Sequence, residues 1–120
     1  MPRPLDGHGI LVIEDEPLVA VELAEVLERA GASVLTTTSL QHAAVAVERP
    51  GIDGAIVDQD FKDGGAAALC SRLDELGIPF VLYRQTTARD DKVGKRADEQ
   101  LLAAMVDLIS RRRPRGGVAH

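Results

Sequence analysis

The sequence predicts a parallel α/β sheet with helices on both faces, and three observations predict it. Short unbroken apolar runs recur at Ile10–Ile13, Ala55–Val57 and Phe80–Tyr83, as strands covered on both faces tend to read. Stretches with apolar residues at helical spacing separate them. Gly31, Pro50-Gly51 and Gly77 mark the change from helix back to strand, so the two types alternate along the chain.

Before the first strand, residues 1–8 hold two prolines, a glycine and little apolar material, and are expected to be a flexible leader. Ile10–Ile13 then runs into Glu14-Asp15-Glu16. Pro17 suits the first turn of a helix that Asp15 or Glu16 can cap; Val19, Leu23, Val26, Leu27 and Ala30 form its apolar stripe, and Gly31 stops it. Ser33–Thr37 is the second strand. Ser39 caps a second helix with Leu40, Ala43, Ala44 and Val47 inward. The third strand, Ala55–Asp58, ends on a carboxylate. A third helix over Ala66–Leu76 turns Leu69, Leu73 and Leu76 to the core, and Phe80–Tyr83 follows as the fourth strand.

The last helix is expected to start at an Asp98 cap, with Leu101, Leu102, Met105, Val106 and Ile109 at helical spacing. Between Tyr83 and a rudimentary fifth strand at Val93 lie only Arg84–Lys92, charged and without an apolar period. A parallel crossover normally takes about 10 to 12 residues or more. The fourth helix is therefore expected to be shortened or missing, and Arg84–Lys92 to lack a regular helix. Residues 111–120 read as a basic, disordered tail, which leaves one domain at 9–110.

Composition narrows the function. At 120 residues with 45% hydrophobic content, the chain can bury a core of its own. Four of the fourteen basic residues are Arg111, Arg112, Arg113 and Arg115, so the formal charge of −5 becomes −9 over residues 1 to 109. Such a body repels nucleic acid, which is not expected as a partner. One cysteine excludes an internal disulfide, and no apolar run suits a membrane span or a signal peptide, so the expected setting is cytoplasmic. Cys70 lies between Leu69 and Leu73 and reads as a small residue at or near the core, while His8, His42 and His120 share no ligand spacing.

Chemistry concentrates where strands end. In an open parallel sheet, ligands bind outside the carboxyl ends of the strands, so Asp58 is expected to face solvent there. Glu14, Asp15 and Asp60 join it at the same edge. Crowded like charges destabilise a fold unless something neutralises them. A hard divalent cation such as Mg2+, which takes oxygen ligands, would do so.

In order, Val12-Ile13-Glu14-Asp15-Glu16-Pro17, Ala55-Ile56-Val57-Asp58 and Gly77-Ile78-Pro79-Phe80-Val81, with Lys95 ahead of the last helix, resemble the receiver domain of two-component response regulators. The resemblance spans about Ile10–Ile109. It implies a doubly wound, flavodoxin-like sheet of five parallel strands in the order 2-1-3-4-5. It also implies an aspartate, Asp58, that accepts a phosphoryl group from a histidine kinase. Asp15, Asp58 and the backbone carbonyl of Asp60 would hold Mg2+, Glu14 would act mostly through water, and Lys95 would complete the catalytic set with Asp58. Two positions depart from the pattern. Arg84 stands where the family carries a serine or threonine, with Thr86 or Thr87 as substitutes if the loop bends back, and Lys95 precedes Arg96 instead of a proline.

Three functions of different classes follow. The first is a receiver that catalyses at most its own Mg-dependent aspartyl phosphorylation and dephosphorylation, and regulates a partner or its own dimerisation through the final-helix face. The second is a pseudo-receiver, a binding and dimerisation module that works without phosphate. The third, an aspartyl phosphatase of the haloacid-dehalogenase type, would use Asp58-Gln59-Asp60 with Asp90-Asp91, but that motif normally lies on the first strand.

Overall fold

The computed structural model describes residues 3–61, 65–83 and 91–111, with the side chains of the last stretch described from residue 99 onward. Strands β1 (Gly9–Ile13), β2 (Ser33–Thr37), β3 (Ile52–Asp58) and β4 (Phe80–Tyr83) form one parallel sheet in the order β2-β1-β3-β4. Helices α1 (Pro17–Arg29), α2 (Leu40–Ala46), α3 (Ala66–Glu75) and α4 (Asp91–Arg111) flank it. The layout fits a flavodoxin-like fold, but the sheet has four strands among the described residues where five were expected.

The differences fall after β4. Val93, expected in a fifth strand, lies within α4, and that helix begins at Asp91 rather than at an Asp98 cap. Lys95 accordingly sits inside the helix and not ahead of it. Asp91 and Lys92, expected to be irregular, are helical; residues 84–90 lie outside the described residues. An apolar stripe marks only helix that packs, and Asp91, Lys95 and Glu99 instead carry the i, i+4 charge spacing that supports helix in water. Arg111, expected in the tail, closes α4 with its Nε 3.3 Å from Asp107 Oδ1; the remainder of the expected tail lies outside the described residues.

Side-chain alternation divides the core into two layers. Leu11 and Ile13 of β1 join Ala55 and Val57 of β3 on the face covered by α2 and α3, with Ala43, Val47, Leu69 and Leu73. Ile10, Val12 and Ile56 point to the other face, against Leu23 and Leu27 of α1 and Leu101 and Met105 of α4. Strands buried on both sides explain the unbroken apolar runs. The helix stripes are buried or half-buried with one exception: Ala44 of α2 is exposed and Ala46 is buried instead.

Close packing has a backbone cause at Gly54. A Cβ there would lie 2.5 Å from Met105 Sδ, so the glycine leaves the space that the Met105 side chain of α4 fills against β3. Met105 itself is completely buried. Leu108 and Arg111 at the far end of α4 line a shallow cleft with Ile78 and Pro79, just before β4. The helix therefore runs antiparallel to the strands, and its first turns lie toward their carboxyl ends.

The stretch read as a loose leader packs in part. Leu5 is completely buried among the residues of α1 and α4, and its N–H donates to the Ala30 carbonyl at 2.8 Å. Gly31, at φ 103°, ends α1 as expected and passes close to Asp6. None of the helices among the described residues is long and apolar enough to cross a membrane.

Candidate functional site

The alternation that builds the core also builds the site. Glu14 follows Ile10 and Val12 on one face, Asp58 follows Ile56, and Tyr83 follows Val81, so all three emerge at the carboxyl edge on the side of α1 and α4. Asp58 and Tyr83 are register partners. Glu14, Asp15 and Asp58 each offer a carboxylate oxygen within 4.8 Å of the others.

Two of these acids are withdrawn from water. Glu14 and Asp58 are both 0% exposed, which corrects the expectation that Asp58 faces solvent. Each is held by a backbone amide two residues on. The Glu16 N–H donates to Glu14 Oε2 at 2.8 Å, and the Asp60 N–H donates to Asp58 Oδ1 at 2.9 Å. Tyr83 donates its hydroxyl to Glu14 Oε1. Asp58 Oδ2 is different: it is buried with no hydrogen-bond partner among the described residues.

Burial dominates the electrostatics. It pushes the Glu14 carboxyl up to about 7, with the Asp58 charge and Asp15 adding to the rise, against the hydrogen bonds from Tyr83 and Glu16. The Asp58 carboxyl is also raised, first by burial. The Asp60 amide and Glu14 pull it back, while the charges of Asp15 and Asp60 push it further. Among the described residues the cluster thus gathers three carboxylates around one buried oxygen that has no donor.

The expected site residues divide as follows. Glu14, Asp15 and Asp58 are brought together. The side chain of Asp60 is exposed and outside this cluster, although its amide touches Asp58. Lys95 has a helical backbone and no described side chain, and Arg84, Thr86 and Thr87 lie outside the described residues. Of the two residues expected to cap α1, Glu16 occupies the N-cap without a side-chain hydrogen bond, and Glu14 takes the Glu16 amide.

Tyr83 was missed. It read as the last apolar residue of a strand, but counting by twos from Val81 places it on the same side as Asp58. Its role extends to the backbone, since its carbonyl accepts the Gln59 N–H at 2.8 Å. Glu14 in turn donates its N–H to the Thr37 carbonyl at 3.1 Å. Through these contacts the ends of all four strands are tied to one another.

No protein-family model matches the chain. No curated protein matches it either. Among solved structures, one similar chain is a fusion that carries the yeast Spc42 trimeric coiled coil, amino acids 181–211. The two are 19% identical, with a TM-score of 0.60 over 89% of this chain and 77% of that one. At that identity the likeness is one of fold alone.

Proposed function

We propose that the chain is a receiver module that takes a phosphoryl group onto Asp58 from the phosphohistidine of a histidine kinase. The observation that carries this reading is Asp58 Oδ2: a buried carboxylate oxygen with no donor, in a cluster of three carboxylates. In the transfer, this oxygen forms a bond to phosphorus as the phosphorus–nitrogen bond of the donor breaks, and the imidazole leaves with the electron pair. The Asp60 amide holds the other oxygen, Oδ1, and so fixes the direction of attack.

The residues fit a divalent cation, because three carboxylates offer oxygens within 4.8 Å of one another and one buried oxygen among them has no donor among the described residues. Asp15 and Asp58 would hold it with Glu14 alongside, and Mg2+ suits a set made of oxygen donors. When bound, it would neutralise charge on the phosphoryl oxygens.

The rises of the two elements support a role for Lys95. Met105 packs at Gly54, and Asp58 lies four residues further along β3, about 13 Å at the rise of a strand. About nine residues of helix cover the same distance. Counting back along α4, the backbone near Arg96 comes level with Asp58.

The test is intact mass before and after incubation with acetyl phosphate and Mg2+. One phosphoryl increment, absent in Asp58→Asn, is the expected result; an unlabelled parent protein rejects the reading. The competing reading, a module that works without phosphate, draws support from the complete burial of Asp58, and the same measurement separates the two. The output would be altered affinity for a partner or a second copy, at the final-helix face or along the edge strand β4, where Leu82 is exposed.

A further inference from the structure

The sheet order gives the Tyr83–Glu14 contact a consequence. β1 and β4 are not neighbours, because β3 lies between them. A side chain from the end of β4 that bonds one at the end of β1 must pass across the end of β3, and the residue there is Asp58, the register partner of Tyr83. Strands stand about 4.8 Å apart, so the bridge spans about two such spacings. A tyrosine reaching toward a glutamate is long enough to do so.

We propose that Tyr83 is a positioning residue that closes the site: its hydrogen bond to Glu14 forms a bar over Asp58, and the bar opens when Asp58 is reached from outside. Three observations support this. Asp58 and Glu14 are both 0% exposed although they stand where strands meet loops. Asp58 Oδ2 is out of contact with water as well as without a partner. Glu14 is held from both sides, at Oε1 by Tyr83 and at Oε2 by the Glu16 amide, so its carboxylate cannot turn away from the cluster unless one of these bonds breaks. Of the two donors, the phenol belongs to a side chain that can rotate, whereas the amide is fixed by the start of α1.

The bar also carries a signal. Tyr83 ends β4 and its carbonyl holds the Gln59 amide, so a change at its ring is felt on the strand that leads out of the sheet. The hydroxyl that senses the site would thus come from the last residue of β4, with Arg84 next in the chain. This inference rests on the receiver reading for its purpose but not for its measurement.

The chain has one tyrosine and no tryptophan, so its tyrosine emission reports Tyr83 alone. A phenol bonded to a carboxylate emits weakly, and the emission of the parent protein should rise as Mg2+ is added. Glu14→Gln should abolish that response. Tyr83→Phe removes the hydroxyl while keeping the ring. It should bind Mg2+ more tightly in calorimetry and be labelled faster by acetyl phosphate, each by about fivefold to tenfold, the net worth of an ordinary hydrogen bond. Emission indifferent to Mg2+ together with a Tyr83→Phe protein labelled no faster than its parent overturns the bar. Labelling at equal rates in both proteins does the same while leaving the receiver reading intact. An emission response that depends on Glu14, in a protein that takes no phosphoryl group, upholds the bar and rejects the receiver.

Discussion

The two faces of this sheet are made by alternate residues of the same strands, yet they end differently at the carboxyl edge. On the side of α2 and α3, the series Leu11, Ile13 and Ala55, Val57 is closed over by Phe61, 5% exposed, and the layer is apolar to its rim. On the side of α1 and α4, the series Ile10, Val12 and Ile56 gives way to Glu14 and Asp58, equally buried and charged by nature. One face therefore converts burial into stability. The other spends part of that stability holding carboxylates where water cannot reach them, and this is the condition under which a cation would be bound most strongly.

The comparison is broken most completely at Asp58. Asp58→Asn should lose all labelling by acetyl phosphate and yet unfold at a higher temperature than the parent at pH 8, since a neutral amide replaces a carboxyl whose pKa burial has raised. A lower melting temperature would show that the ionised carboxylate is already compensated. On the apolar face the pattern reverses. Leu73→Ala, at a completely buried position, should cost about 3 kcal/mol in denaturant unfolding and leave Mg2+ affinity unaltered. A loss of Mg2+ binding there would mean that the two layers are coupled.

Acidity sharpens the difference between the faces. Glu14 has a folded pKa of about 7 against an ordinary 4.5, and the Asp58 shift has the same sign. The folded protein therefore holds protons that the unfolded chain releases. The stability these carboxyls contribute is complete below about 4.5 and is lost as pH rises to about 7, on the order of 3 kcal/mol for Glu14 by the usual conversion. Melting temperature should fall over that interval, and Mg2+ should restore more of it at pH 8 than at pH 5. A flat profile, unaffected by Mg2+, would falsify the buried-carboxylate account.

The smallest effect belongs to the surface of the apolar face. Arg72 of α3 grips Glu48 beyond α2 with two bonds, Nε to Oε2 at 2.6 Å and Nη2 to Oε1 at 2.9 Å, and Glu75 lies within reach. Both partners are exposed to solvent, which screens the pair. Arg72→Ala should shift the melting temperature barely detectably and the labelling rate not at all. A large loss would identify the clamp as the element that docks α2 on α3.

Much of this protein was legible without its structure. Unbroken apolar runs located β1, β3 and β4, while β2, half exposed and ending in threonines, was placed by the alternation of strand and helix. Pro17, Ser39 and Gly31 marked helix ends through backbone rules that act within a few residues, and the Ser39 hydroxyl does accept the His42 N–H at 3.2 Å. Glu14, Asp15 and Asp58 could be gathered from strand ends alone, because a parallel sheet brings those ends to one edge.

Only the tertiary structure decided the rest. Whether Asp58 meets water depends on what crosses above it, and what crosses is a tyrosine from a strand two places from β1, a relation set by sheet order and not by spacing along the chain. The start of α4 escaped a reading based on apolar periods, because its first turns carry charge rather than a stripe to bury. The burial of Leu5 escaped it as well, since one apolar residue beside prolines becomes core only when α1 and α4 leave a space for it. Composition and periodicity are local and specify elements. Burial, register and the meeting of side chains from different strands are sums over the whole fold, and they turned a row of acids into a closed site.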